Sequence, residues 1–145
     1  MRQIDFYLLN SNKLGEDKRF ACKLTEKIYH LGQKIYIYTE NKDQAQNIDN
    51  LLWTFRQSSF VPHSMIVDHN GEIPISPVLI GYQDKPNIPI DLLINLSLQV
   101  PSFYKDFQRI AEIILQDELN RQEGRKRYRY YRSQSYELVA HEIKV

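Results

Sequence analysis

The first forty residues contain a strand, a helix and a second strand in succession, and this order restricts the possible folds more than any other feature of the sequence. Residues 4–9 are a short apolar and aromatic run that ends at Asn-Ser-Asn, which is typical of a buried strand. Apolar residues at helical spacing follow over residues 15–32, and residues 34–39 are β-branched and aromatic. A βαβ unit of this length predicts parallel pairing of its two strands and a right-handed crossover. We therefore expect a three-layer α/β fold, a Rossmann-like and mostly parallel sheet flanked by helices, in a single domain over residues 1–145.

The loop after the first predicted strand lacks the glycines of a nucleotide-binding fold. It has the sequence Asn10-Ser-Asn-Lys13 with Gly15 nearby, and neither G-x-G-x-x-G nor G-x-x-x-x-G-K-[ST] occurs in the chain. Side chains would therefore stand where backbone amides need to approach a phosphate. We therefore expect no bound nucleotide and no cofactor. A Rossmann-like fold without its usual ligand is possible because the fold alone does not fix the function.

The rest of the chain adds helices and further strands. A second helix is capped by Thr39 or Asn41, and its apolar stripe is Ala45, Ile48, Leu51, Leu52 and Phe55. A turn is predicted at residues 68–71, and proline-bounded apolar runs at 78–82 and 88–98 predict two strands. A third helix is predicted from Pro101 to Glu118 on Phe103, Phe107, Ile110, Ala111 and Ile114, with Gly124 as a joint or a tolerated kink before a basic helix. Residues 135–145 predict a last short strand.

A cationic segment near the C-terminus departs from an otherwise balanced charge. The formal net charge is only +1, yet the stretch Arg121-Gln-Glu-Gly-Arg-Lys-Arg-Tyr-Arg-Tyr-Tyr-Arg132 interleaves arginines with tyrosines. On a helix, one face within an arc of about 100° carries Arg121, Arg125, Tyr128, Arg129 and Arg132, which we call the arginine face. Because burying unneutralised guanidinium groups is too costly, this face is expected to point outward and to bind an anion. A solvated basic helix without any partner is the alternative.

Two classes of anion fit the arginine face. An acidic peptide would offer carboxylates to the guanidinium forks, and Tyr128 would offer apolar area to an apolar end residue. Single-stranded nucleic acid would offer phosphates, with the tyrosines stacking on bases. The near-neutral net charge and the restriction of the cations to one helix favour the peptide, and a direct single-stranded nucleic-acid-binding module remains the second hypothesis.

Trp53 does not belong to the apolar stripe of the second helix. It lies about 140° from Ile48 around the helix axis, whereas Leu52 and Phe55 lie within about 40° of Ile48. A large aromatic side chain on the polar side of a helix is a candidate anchor of a protein interface. Phe60, taken alone, would be assigned to the core.

The residues give no pattern for catalysis or metal binding. The four histidines form no H-E-x-x-H or comparable pair, and no serine lies in a G-x-S-x-G elbow. Cys22 is the single cysteine, which excludes a disulfide framework and a cysteine-based zinc site and fits a reducing cytoplasm. Its place in the first predicted helix indicates a buried or half-buried thiol. We expect no catalytic site, no metal site and no membrane-spanning segment.

Three segments together resemble the chi subunit family of bacterial DNA polymerase III. They are the opening Ile4-Asp-Phe-Tyr-Leu-Leu9, the stretch Leu52-Trp-Thr-Phe-Arg-Gln-Ser-Ser-Phe-Val-Pro-His63 with the pattern L-W-x-x-x-x-x-x-F-V-P-H, and Gly124-Arg-Lys-Arg-Tyr-Arg-Tyr-Tyr-Arg132 with the pattern G-R-x-R-Y-x-x-Y-R. The resemblance covers essentially the full length. After Arg132 the chain departs from the family, because Ser133-Gln-Ser-Tyr136 stands where a glycine-aromatic pair is usual.

The resemblance implies a non-catalytic adaptor with two binding surfaces. One surface binds the psi subunit of the polymerase and is carried over onto Trp53 and Phe60. The other binds the acidic C-terminal tail of the single-stranded-DNA-binding protein, which ends in an apolar residue with a free carboxylate. That second surface is carried over onto Arg125, Tyr128, Arg129, Arg132 and Ile114. Nucleic acid would be contacted only indirectly.

Overall fold

Seven strands and three helices make up the described part of the chain. The computed structural model describes residues 2–56, 60–66, 74–83 and 85–145, so the predicted turn at 68–71 lies outside the described residues. The elements in order are β1 (Gln3–Leu9), α1 (Glu16–His30), β2 (Ile35–Tyr38), α2 (Lys42–Thr54), β3 (His63–Met65), β4 (Val78–Gly81), β5 (Leu92–Asn95), a 3-10 turn (Tyr104–Asp106), β6 (Arg109–Ile114), α3 (Glu118–Ser133) and β7 (Glu137–Ile143).

The strands form one sheet in the order β3-β4-β2-β5-β6-β1-β7. Every pairing between described strands is parallel, which confirms the predicted Rossmann-like α/β class. The prediction that the first two strands pair directly is wrong, since β5 and β6 lie between β1 and β2. A local βαβ pattern fixes the direction of two strands, whereas later strands of the chain decide which strands become neighbours.

Helices cover both faces of the sheet, as the three-layer expectation requires. On one face α1 and α2 pack through a core that contains Ile28, Ile48 and Leu52. On the other face α3 packs through a second core that contains Tyr131. Asn41 begins α2, because its Oδ1 accepts a hydrogen bond from the backbone N–H of Gln44 at 2.9 Å.

The predicted helix over Phe103–Ile114 is wrong. Only a 3-10 turn forms at Tyr104–Asp106, and residues Arg109–Ile114 are the central strand β6, which pairs with β5 and β1. The run Ile-Ala-Glu-Ile-Ile is buried throughout, as in a strand covered by helices on both faces. A short apolar run of this kind does not distinguish a buried strand from a buried helix by its periodicity.

The other strand predictions hold in part. The run at 78–82 forms β4, and the longer run at 88–98 is a strand only over Leu92–Asn95. The last strand forms as β7 over Glu137–Ile143, whereas no local pattern predicts the short edge strand β3. Within the described ranges, no helix combines the length and the apolar character that a membrane span requires.

A buried carboxylate joins three neighbouring strands. Asp5 of β1 lies 2.9 Å from His141 Nε2 of β7 and accepts a hydrogen bond from Arg109 Nη2 of β6 at 3.1 Å. Burial alone would raise the pKa of Asp5, but the hydrogen bonds from His141, Arg109 and Gln3 outweigh burial and hold the pKa below its ordinary value of 3.8. The ionised carboxylate therefore stabilises the sheet at this edge.

Candidate functional site

The arginine face lies on one continuous helix. The helix α3 begins after Asp117, whose carboxylate accepts a hydrogen bond from the Asn120 backbone N–H at 3.1 Å, and it ends at Ser133. All four arginines of the face are exposed. Within the described part of the chain, none of them forms an ion pair with a carboxylate. The cations of α3 that do form ion pairs are Lys126 with Glu123 and Arg127 with Glu112.

Gly124 lies inside α3 and not at a joint between two helices, so that prediction is wrong. A Cβ atom at Gly124 would lie 2.9 Å from Ile114 Cδ1, closer than side-chain atoms normally approach. The glycine therefore lets the helix lie directly against β6. This close approach needs a missing side chain and not an unusual backbone conformation.

A cavity of about 390 Å³ opens beside this contact. It lies at the carboxyl ends of β1 and β6, whose following segments leave toward helices on opposite faces of the sheet. In parallel α/β sheets, such a switch of direction produces the crevice in which ligands bind. The cavity is lined by Phe6, Leu8, Leu9, Ile114, Leu115, Gln116, Arg121, Gly124, Arg125, Tyr128 and Ala140, and we call it the α3 cavity.

The α3 cavity combines apolar walls with cationic side chains. The Tyr128 ring packs edge-on against Phe6 with ring centroids 5.2 Å apart, and this contact holds the tyrosine ring in place. Arg121 and Arg125 line the same cavity. Arg129 and Arg132 continue the arginine face about one and two turns further along α3. Three of the predicted residues, Ile114, Arg125 and Tyr128, therefore meet at one cavity, with the other two arginines beyond it.

A buried carboxylate holds α3 against the sheet from the inside. Glu112 of β6 is fully buried and accepts hydrogen bonds from Arg127 Nε at 2.9 Å and from the Tyr131 hydroxyl at 2.7 Å. Burial raises the pKa of Glu112, and Arg127, Asn95 and Tyr131 oppose that shift. In the sequence, Arg127 is one cation among several of the same helix. The buried charge of Arg127 requires a carboxylate partner. That partner, Glu112, lies fifteen residues earlier in the chain, and nothing in the local pattern indicates it.

A second surface lies on α2 and the segment that leads to β3. The side chains of Trp53 and Phe60 are 55% and 59% exposed, and their ring centroids lie 5.3 Å apart. The side chain of His63 is buried behind them, with its ring 4.8 Å from that of Trp53. Its Nδ1 lies 2.6 Å from the Val61 carbonyl oxygen, which holds the ring in place. We call Trp53 and Phe60 the aromatic pair. The exposure of Phe60 shows that the assignment of this residue to the core, made from its sequence context alone, is wrong.

The arginine face and the aromatic pair are separate surfaces. They share no residue, and their helices α3 and α2 pack on opposite faces of the sheet. Among the described residues, no group of three or more His, Cys, Asp or Glu side chains is arranged to hold a metal ion. Cys22 is buried, and burial raises the pKa of its thiol to about 12.

These features define a Rossmann-like α/β protein that carries two separate exposed surfaces of the kind that bind other molecules. The sequence model of the family described as "DNA polymerase III chi subunit, HolC" matches residues 1–139. The chain therefore belongs to the chi subunit family of DNA polymerase III, a family of DNA replication proteins.

Individual relatives match over nearly their whole length. The chain is 35% identical over 143 residues to the DNA polymerase III subunit chi of Pseudomonas aeruginosa, covering 99% of this chain and 98% of that one. It is 32% identical over 141 residues to the subunit of the same name from Haemophilus influenzae, with 95% of each chain covered. The Escherichia coli subunit chi is 28% identical over 145 residues, covering 95% of this chain and 96% of that one.

A solved structure shares the fold without close sequence similarity. The C-terminal domain of the DEAD-box protein Dbp5 superposes with a TM-score of 0.65 at 12% identity, covering 96% of this chain and 90% of that one. At this identity the likeness concerns the fold alone. It agrees with the Rossmann-like class.

Proposed function

We propose that this chain is a non-catalytic adaptor of the DNA polymerase III holoenzyme. It links the clamp loader, through the psi subunit, to the acidic C-terminal tail of single-stranded-DNA-binding protein, and it works in the cytoplasm. The observation that carries this proposal is the α3 cavity, in which the apolar side chains of Ile114 and Tyr128 lie beside exposed Arg125. A peptide that ends in an apolar residue with a free carboxylate matches both properties at once.

The tail would bind with its end in the α3 cavity. A volume of about 390 Å³ accommodates a large apolar side chain, and Tyr128 and Ile114 would contact it. The guanidinium group of Arg125 would bind the terminal carboxylate, since arginine forks bind carboxylates in a bidentate way. Arg129 and Arg132 would bind acidic residues further from the peptide end, because they follow along the same side of α3.

The aromatic pair is the proposed psi-binding surface. Two aromatic rings that are more than half exposed and in mutual contact form the kind of apolar anchor that dominates protein interfaces. Their location on α2 and on the segment that leads to β3 would leave the arginine face free when psi is bound. One molecule can therefore bind both partners at the same time.

The test is a fluorescence titration with three ligands. The first is an acidic peptide that ends in Phe with a free carboxylate, the second is the same peptide with an amidated end, and the third is a single-stranded oligonucleotide. We expect the free-carboxylate peptide to bind most tightly. Equal affinity for the two peptides, or tighter binding of the oligonucleotide, would contradict the proposal and favour the nucleic-acid-binding module.

Two variants identify the surface. Arg125→Ala or Arg129→Ala should weaken binding of the free-carboxylate peptide by about 1–3 kcal/mol, which is the usual effect of losing a charge-assisted hydrogen bond. Lys126→Ala is the matched control, since Lys126 is an equally charged and exposed residue of α3 that pairs with Glu123 and lies off the arginine face. The control should bind within about twofold of wild type, because it removes one positive charge and an exposed ion pair but no proposed contact with the peptide. An equal loss in the control would show that net charge alone attracts the peptide.

A further inference from the structure

The helix that carries the arginine face buries no aliphatic side chain where it docks on the sheet. Of the 16 residues of α3, the buried ones are Gly124, Arg127 and Tyr131, and none of these is aliphatic. Leu119, the one leucine of the helix, is 56% exposed. An ordinary surface helix is oriented by a broad apolar stripe that faces the core. In α3 the stripe is narrow: Gly124 lies against Ile114, and the rings of Tyr128 and Tyr131 pack on Phe6.

A single buried carboxylate adds directional hydrogen bonds to these contacts. Glu112 accepts from Arg127 Nε at its Oε1 and from the Tyr131 hydroxyl at its Oε2. Asn95 of β5 donates its Nδ2 to Oε2 at 2.9 Å and thereby fixes the carboxylate from the opposite side. Arg127 also donates its Nη1 to the Leu98 carbonyl oxygen at 2.8 Å. Two successive turns of α3 are therefore bound to one point of the central sheet.

These bonds determine which side chains face outward. Arg127 and Tyr131 are separated by four residues and lie about 40° apart around the helix axis. Arg129 lies about 160° from both Arg127 and Tyr131 and so faces solvent, whereas Arg125 lies about 120° from Tyr131 and lines the α3 cavity. A shift of α3 by one residue would turn the helix by about 100° and would move Arg121 and Arg125 away from the α3 cavity.

We propose that Glu112 is the positioning residue of the tail-binding surface: by holding Arg127 and Tyr131 it places Arg125 and Tyr128 at the α3 cavity, although it touches no ligand itself. This inference rests on the proposed function, because it concerns the same peptide-binding surface. Apolar contacts tolerate small rotations and slides of a helix, whereas three directional hydrogen bonds to one buried carboxylate do not. Buried polar groups of this kind can specify one arrangement without adding stability.

The experiment separates positioning from stability with two variants. Glu112→Gln keeps the shape of the side chain but presents an N–H₂ group to donors, so it cannot accept all three hydrogen bonds. The combined variant Glu112→Leu, Arg127→Leu and Tyr131→Phe replaces the polar group by apolar side chains, a change that commonly restores or raises stability. The melting temperature and the affinity for the free-carboxylate acidic peptide are measured for both variants, for wild type and for Lys126→Ala.

We expect Glu112→Gln to lower the melting temperature and to weaken peptide binding about tenfold or more, which corresponds to the loss of one aligned charge-assisted contact. The combined variant should recover most of the melting temperature, yet its affinity should stay about tenfold below that of wild type. Recovery of affinity together with stability would overturn the inference, since Glu112 would then be structural only.

Two further outcomes are decisive. Wild-type affinity in Glu112→Gln, measured in the cold while near-ultraviolet circular dichroism reports folded protein, would also overturn the inference, even if the combined variant does not fold. Failure of wild type to bind the free-carboxylate peptide would instead refute the proposed function. The Arg125→Ala variant distinguishes the two, because it removes a direct contact and leaves the Glu112 bonds in place.

Discussion

Gly124 gives the sharpest test of how closely α3 lies on β6. An alanine at this position would place its Cβ 2.9 Å from Ile114 Cδ1 and 3.4 Å from the Ile114 Cγ1 and Cγ2 atoms. The Ile114 side chain would have to move, and overpacking of this kind costs about 1–3 kcal/mol. Alanine also gains about 1 kcal/mol over glycine in a helix interior. We therefore expect Gly124→Ala to change the free energy of unfolding by between zero and about 2 kcal/mol in the destabilising direction.

A double-mutant cycle with Ile114→Val separates these two effects. Valine lacks the Cδ1 atom that makes the closest approach, so in this background Gly124→Ala should be neutral or stabilising by up to about 1 kcal/mol. The coupling free energy between the two sites should then reach about 1–2 kcal/mol. Urea unfolding followed by circular dichroism gives all four free energies. Effects that add within about 0.5 kcal/mol would refute the close contact between α3 and β6.

Three other predictions follow from buried and exposed side chains. Trp53→Ala should lower the free energy of unfolding by less than about 2 kcal/mol, well below the roughly 3–5 kcal/mol typical of a buried tryptophan, because more than half of the side chain is exposed; loss of folding in a thermal melt would contradict this. Asp5→Asn should lower the free energy of unfolding near neutral pH by about 1–3 kcal/mol. This difference from wild type should shrink as the pH falls below 3.8, because the Asp5 carboxyl group, whose pKa is lowered in the folded protein, loses its stabilising charge in that range. A pH-independent difference in urea unfolding would exclude that role. Cys22 should not react with a thiol reagent at about pH 8 until the protein is unfolded, since burial raises the pKa of its thiol to about 12; rapid labelling of native protein would contradict the burial.

The local elements of the first half of the chain could be predicted from the sequence because their signals are local. The apolar spacing in α1, the left-handed Gly32 after its end and the Asn41 cap of α2 all lie within a few residues of the elements that they define. The exposure of Trp53 followed in the same way from its angle on α2. The position of β1 relative to β2 did not follow, because β5 and β6, which come much later in the chain, lie between them.

The errors concentrate where distant residues decide the structure. The central strand β6 has the apolar spacing of a helix, and only its place between β5 and β1 determines its conformation. Arg127 has the same local context as its exposed neighbours in α3. It is buried because its guanidinium group binds Glu112 on strand β6. Gly124 was predicted to be a joint because glycine destabilises helix interiors. In the structure the missing side chain of Gly124 instead makes room for Ile114. Local patterns thus predicted the arginine face, and long-range contacts determine its orientation.

Simultaneous binding of both partners tests the adaptor most directly. The protein is mixed with psi and with a fluorescent acidic peptide that ends in Phe, and sedimentation velocity reports whether the peptide moves with a complex of all three. Wild type should form the ternary complex and Trp53→Ala should bind only the peptide. Arg129→Ala should bind psi normally and the peptide about 1–3 kcal/mol more weakly, because the aromatic pair and the arginine face lie on different faces of the sheet. Competition between psi and the peptide for wild type, or loss of both partners in either variant, would contradict the account of two independent surfaces.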